Sequence, residues 1–215
     1  MSAERRVKVL YHHRIKSKDG QYVHIEELVS ALRRQGHEVV FSGPRDVEEG
    51  DFGGESRFIG LLKRLLPGAV YELLELGYSI PDAVRLFISC LKEKPDFIYE
   101  RYNLYFLSGI WVSRLLRLPL VLEVNAPLFE ERSSYGGLSL PWLARRIQYR
   151  TWNSADAVIV VTSVLEKIVL SYGVHPERLH VIPNGIDLER FEGLGKAQCD
   201  PGSDAVVIGF VGFIR

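Results

Sequence analysis

At 215 residues, 47% hydrophobic and 25% charged, the chain has the composition of a globular protein with a sizeable core. Lys plus Arg and Asp plus Glu each total 27, so the formal net charge is zero and nucleic acid is disfavoured as a partner. No apolar run approaches the roughly 18–20 residues that span a bilayer, and the start, Met1–Arg6, has no apolar segment after its charges, which argues against a secretory signal.

Val7–Tyr11 reads as a short strand. Ile25, Leu28, Val29 and Leu32 fall at i, i+3, i+4 and i+7, one face of an amphipathic helix, and Gly36 is placed to end it. His37–Phe41 follows as a second strand, which completes the start of a βαβ pattern. Residues 42–56 are polar and Gly-rich, a loop. Residues 57–91 look helical, with breaks expected at Pro67-Gly68 and at Pro81. Pro95 introduces a strand at Asp96–Glu100, a helix is expected over Leu104–Leu116, and Pro119 opens the strand Leu120–Val124. A helix over Leu140–Trp152 carries Pro141 in its first turn, where a missing N–H costs little. Ala157–Val161 is nearly all apolar, as a strand buried on both faces should be. Ser163 and Glu166 have the spacing of a capping box for a helix that Gly173 ends, and Leu179–Ile182 is the next strand.

Six or seven strands alternating with helices predict a doubly wound parallel α/β sheet. Gly193, Gly195, Pro201, Gly202 and Ser203 give the next stretch linker composition, and Ile208–Arg215 reads as a fresh strand and Gly-rich loop. The expected organisation is a domain over 1–192, a linker over 193–205 and the first strand of a second domain over 206–215. Cys90 and Cys199 have neither CxxC spacing nor a disulfide framework, so a reduced, cytoplasmic compartment is the expectation.

In such sheets ligands bind beyond the C-terminal strand ends. The loop His12–Gln21 lacks GxGxxG and GxxxxGK[ST], which argues against a dinucleotide fold and a P-loop NTPase. It is basic and leads to a helix N-terminus, so it serves either an anion or solvent. His12, His13 and His24 have no recognisable metal-ligand spacing, and a structural role is favoured for them. Glu100-Arg101-Tyr102-Asn103 and Glu123-Val124-Asn125 put charged and amide groups at strand ends, where they can orient a hydroxyl-rich ligand or pair with each other. Phe58, Leu61, Leu62, Leu65 and Leu66, with Arg57, Lys63 and Arg64, form a basic amphipathic stretch. Core or partner packing is the commoner use of such a stretch, and a membrane surface the rarer one. Trp142, Arg145, Arg146, Tyr149 and Arg150 pose the same choice. No Gly-x-Ser-x-Gly elbow, HExxH or EF-hand loop is present.

Val181-Ile182-Pro183-Asn184-Gly185-Ile186-Asp187, then Phe191, then Ile208-Gly209-Phe210-Val211-Gly212, resembles the interdomain passage of retaining glycosyltransferases of family 4, the group-1, glycogen-synthase-like type. Asp19-Gly20-Gln21 with His24 and Leu28, Tyr99–Tyr102, Leu122–Leu128 and Val160–Ser163 fit in order along nearly the whole chain. The resemblance implies the GT-B architecture, two Rossmann-like domains across a cleft, with this chain as the N-terminal, acceptor-binding one. It implies a nucleoside-diphosphate sugar as donor substrate, no cofactor and no metal. The implied acceptor is a glycan, a lipid-linked molecule or a small molecule, and contact with the inner face of the cell membrane is compatible with it.

Carried over residue by residue, Lys18, Arg101, Tyr102, Glu123 and Asn125 line the acceptor side of the cleft. Asp19, Gly20, Gln21, Asn184, Gly185, Gly209, Gly212 and Arg215 lie towards the donor. Many members have His where this chain has Asn125, which weakens any catalytic role at that position. The paired-glutamate motif of the donor domain is not in this sequence, so the chain is expected to be inactive alone. A non-catalytic binding module and a GT-B enzyme such as a UDP-sugar epimerase are the alternatives.

Overall fold

The computed structural model describes residues 6–14, 20–43 and 65–185, with Gly20 and Gln21 described in backbone only. The loop at 44–56, the segment 57–64, the linker and the strand expected at 206–215 lie outside the described residues. So do Lys18, Asp19, Gly209, Gly212 and Arg215.

The described strands are β1 (Lys8–His12), β2 (Glu38–Ser42), β3 (Phe97–Arg101), β4 (Leu120–Val124), β5 (Ala157–Val160) and β6 (Leu179–Val181). They form a six-stranded, wholly parallel sheet in the order β2-β1-β3-β4-β5-β6. The chain leaves β1 first to one side and then to the other, so the order switches between β1 and β3. The helices are α1 (Gly20–Arg34), α2 (Gly68–Gly77), α3 (Ser79–Glu93), α4 (Ser108–Leu116), α5 (Leu128–Ser134), α6 (Pro141–Ser154) and α7 (Ser163–Ser171).

Side chains alternate across each strand, so the sheet has two different faces. Leu10, Ile98, Leu120, Leu122 and Val158 are fully buried on one face, against Leu86 of α3, Ile110 of α4, Trp152 of α6 and Val169 of α7. On the other face Val9, Tyr11, Val39 and Tyr99 pack on Ile25 and Val29 of α1. This second core is smaller, and among the described helices only α1 supplies its buried residues.

The element ends depart from the sequence-based expectation where tertiary contacts intervene. Pro81 does not break a helix. It is the third residue of α3, in the first turn, where N–H groups have no intrahelical partner. The break falls at Tyr78, between α2 and α3. The helix expected from Leu104 starts at Ser108, because Tyr105 takes a left-handed φ of 57° and its hydroxyl donates to Glu72 at 2.7 Å. Thr162, not Ser163, caps α7, its Oγ1 accepting from the Leu165 N–H at 3.2 Å. Helix α5 carries no periodic signal long enough to be foreseen. Gly36 and Gly173 end α1 and α7 with φ of 86° and 80°, as their positions predict.

Candidate functional site

Two buried polar clusters sit at the C-terminal ends of the strands, on opposite faces of the sheet. The first is built on His12, which shares the face of Leu10 and is fully buried. Its Nδ1 lies 2.7 Å from Glu100 Oε2 and its Nε2 lies 2.9 Å from Asp82 Oδ2. Its ring stacks on Phe106 with centroids 4.9 Å apart. Two carboxylates facing two ring nitrogens require both nitrogens to donate, so the ring is an imidazolium. Burial by itself pushes the His12 pKa down, but the hydrogen bonds that its ring donates to Asp82 and Glu100 carry it up to about 9. Burial pushes Asp82 up, and the His12 charge wins and holds it below its ordinary value.

Glu100 rests on the first turn of α4, where a Cβ at Gly109 would collide with its carboxylate. The positive end of the helix favours an anion there. Arg14, just past β1, stacks over Tyr78 at 4.6 Å.

The second cluster is built on Glu123 of β4, which is 1% exposed. His24 Nε2 donates to its Oε1 at 2.8 Å, Asn125 Nδ2 at 2.6 Å and Arg101 Nη1 at 3.3 Å. The Tyr11 hydroxyl donates to Oε2 at 3.3 Å. Burial opposes ionisation here too. The His24, Asn125 and Arg101 contacts outweigh it, and the pKa is held below the usual carboxylate range. A carboxylate occupied by four donors is a clamp and has little basicity left to offer. What it presents are its partners: the Arg101 guanidinium, the His24 ring and Asn125, whose Oδ1 is buried without a hydrogen-bond partner.

Beside this cluster, along the α1 face of the sheet, runs a groove of about 510 Å³. Its apolar floor includes Tyr99, Val121 and Ile159. His24 and Glu123 stand on its lining, and Asn184 and Gly185 form another part of its wall. The groove reaches the C-terminal strand ends at His24 and Glu123 and runs from there down the sheet face to Phe97 and the last turn of α1; an apolar groove with polar groups at one end is a common form of ligand site.

The structure thus brings Arg101, Glu123 and Asn125 together, and sets Asn184 and Gly185 on the same groove. Gly20 and Gln21 open α1, where backbone N–H groups are free of intrahelical partners. Tyr102 corrects the expectation. It is 7% exposed, packs edge-on against Trp152 and donates to Gln148 Oε1 at 2.9 Å, so it belongs to the core and not to a cleft wall. The residue before it, Arg101, points to the other face, as alternation demands. No sequence pattern assigns Tyr11, His24 or the pair His12 and Asp82 to a cluster. The alternation of β1 carried the signal that Tyr11 and His12 point to opposite faces.

The sequence matches the family Glycosyltransferase Family 4 over residues 18–190, most of the chain. This chain belongs to glycosyltransferase family 4. A curated relative, D-inositol 3-phosphate glycosyltransferase of Saccharomonospora viridis, is 26% identical over 171 residues, 73% of this chain and 39% of that protein. Among solved structures, Anabaena HepE in complex with UDP superposes with a TM-score of 0.52 at 20% identity, over 85% of this chain and 45% of that one. UDP-N-acetylglucosamine 2-epimerase from Rickettsia bellii does so with a TM-score of 0.52 at 12% identity, over 87% and 48%. The α/β fold of this family 4 chain is therefore that of GT-B glycosyltransferases. The chain spans less than half the length of each of these three proteins.

Proposed function

We propose that this chain is the acceptor-side domain of a retaining glycosyltransferase that moves a sugar from a nucleoside-diphosphate sugar to an acceptor hydroxyl. The observation that carries the reading is the Glu123 cluster beside the groove, at the C-terminal edge of a family 4 sheet. Glu123 is a positioning residue: it aims Arg101, His24 and Asn125. Arg101 offers donors to substrate oxygens, and Asn125 Oδ1 accepts from a sugar hydroxyl. An amide has no titratable proton, so Asn125 orients and does not relay protons.

The α1 N-terminus at Gly20 and Gln21, with Asp19 before it, faces the donor phosphates in this reading, and Lys18 the acceptor. Asn184 and Gly185 lead to a donor-side domain that begins around Gly209, Gly212 and Arg215. A nucleotide-sugar donor is supported by Anabaena HepE, solved with UDP and with UDP-glucose. The reading needs no metal and no cofactor.

Kinetics of the full-length enzyme test it. Asn125→Ala is expected to lower kcat/KM about tenfold, the loss of one substrate hydrogen bond. Glu123→Gln is expected to lower it further, because Arg101 and His24 lose their anionic anchor. Unchanged kcat/KM in both variants would overturn the assignment. Product analysis separates the other reading: an isomerised nucleotide sugar with no acceptor consumed would mean an epimerase.

A further inference from the structure

Four of the described arginines are half-buried: Arg14, Arg101, Arg132 and Arg178. Three of them have acceptors for their N–H groups. Arg101 pairs with Glu123 at 3.3 Å, and Arg132 with Glu75 at 3.0 Å. Arg178 donates to the Asn153 and Ala155 carbonyls at 3.3 Å and 3.1 Å. Arg14 pairs with no carboxylate and donates to no carbonyl among the described residues. A guanidinium that gives up part of its hydration without filling its donors calls for an anion.

What holds Arg14 is aromatic. Its guanidinium carbon lies 4.6 Å from the centre of the Tyr78 ring and 5.7 Å from that of Phe106. Such stacking engages the flat face of the cation and leaves its N–H groups at the edge. The two rings are themselves fixed. Ser79, next to Tyr78, donates to the Tyr105 carbonyl at 2.8 Å and accepts from the Leu107 N–H at 3.2 Å, one residue on either side of Phe106. Phe106 is 1% exposed and stacks on the His12 ring. The cation is therefore preorganised, with a fork-shaped edge that matches the oxygens of a carboxylate or a phosphate.

This ledge stands where ligands bind in a doubly wound sheet. Arg14 follows the end of β1 by two residues, and Phe106 lies in the connection from β3 to α4. The strand order switches between β1 and β3, and the crevice beyond such a switch is the usual ligand position. Arg14 contacts Phe106, which stacks on His12, so it lies on the face of the sheet that carries α3 and α4. Arg101, bonded to Glu123, and helix α1 lie on the other face. In the proposed function the donor phosphates sit at the α1 N-terminus, so an anion at Arg14 is a different one and belongs to the acceptor.

We infer that Arg14 holds an acidic group of the acceptor, a carboxylate or a phosphate monoester, and so selects acidic acceptors over neutral ones. The assignment to an acceptor rests on the proposed function; the anion site itself rests on the geometry of Arg14, Tyr78 and Phe106.

NMR of the full chain tests the anion site without any activity readout. The Arg14 Nε–H signal, identified by its loss in Arg14→Gln, and the Phe106 amide signal should shift saturably when inorganic phosphate or acetate is added at constant ionic strength. The expected dissociation constant for the better ion is on the order of 10 mM or below, and which ion is better tells a phosphate from a carboxylate. Arg14→Gln should abolish the shift at Phe106. Tyr78→Leu keeps the charge, removes its platform and should weaken binding about threefold. Arg14→Lys should bind about fivefold more weakly than the wild type, because an ammonium offers no planar fork. A cation that merely offsets the Asp82 and Glu100 carboxylates would be replaced by Lys without loss. In sugar transfer by the full-length enzyme, Arg14→Gln should raise KM for an acidic acceptor about tenfold and leave KM for the nucleotide sugar as it is. No saturable shift with either ion would overturn the inference. So would equal binding by the wild type and the two Arg14 variants, or a KM change confined to the nucleotide sugar. Anion binding without sugar transfer would remove the proposed function and keep the site; transfer without anion binding would remove the site alone.

Discussion

His12 shows how a buried charge is kept in a fold. The ring is out of contact with water, which disfavours its charge, yet two carboxylates at hydrogen-bond distance make the imidazolium the stable form. The folded pKa, about 9, stands above the ordinary 6.5. A raised pKa in the folded state means the unfolded chain gives up this proton more readily. The stabilisation is therefore complete below about pH 6.5 and is lost as pH climbs through about 9. Thermal unfolding measured across that window should show a loss on the order of a few kcal/mol in the wild type. His12→Asn, less stable at neutral pH, should show a flatter profile. A wild-type profile as flat as the variant's would show that the pair does not contribute. Asp82 and Glu123 have depressed values, so their contributions are present above the usual carboxylate range and fade as pH falls through their folded values.

At the scale of elements, the contact of Glu100 with Gly109 ties β3 to the first turn of α4. A methyl group at position 109 meets the carboxylate that holds His12. The carboxylate is 1% exposed and bonded to His12, so it has little room to yield. Gly109→Ala is expected to cost about 1–3 kcal/mol, as overpacking does. Because it pushes on Glu100, it should also lower the pH at which the His12 stabilisation fades. Chemical denaturation at neutral and at alkaline pH reads both effects. A variant as stable as the wild type would mean that α4 shifts to absorb the methyl.

For the whole molecule, the two sheet faces divide the labour. The large core beneath α3, α4, α6 and α7 holds the sheet, and the face under α1 carries the Glu123 cluster and the groove. If the remaining donor contacts come from a second domain, the 215-residue chain by itself should transfer no sugar and bind nucleotide weakly. A panel of nucleotide sugars with product detection, together with calorimetry, checks this. Measurable turnover, or a dissociation constant of about 1 µM or below, would show that one domain suffices.

The sequence by itself determined the parallel α/β sheet, because each strand is a short apolar run and each connection is a helix with its own caps and periodicity. Val158 and Val160 had to be buried, and Gly36 and Gly173 had to end helices, whatever the rest of the chain did. Family membership was legible as well, since the resemblance carried by the passage at 181–191 agrees with the family match over residues 18–190.

The tertiary structure decided which of those residues meet. Glu123 lies 99 residues from His24 and 112 from Tyr11, and Asp82 lies 70 from His12. No local pattern encodes such pairings, because strand order and register bring these side chains within reach. The same holds for Tyr102, which adjoins Arg101 in sequence and points into the opposite face. It holds too for α3, where only packing shows that the stripe Ile80, Val84, Ile88 and Leu91 faces out while Leu86 and Cys90 face in. Periodicity marks an apolar side, and the neighbours decide whether that side is covered.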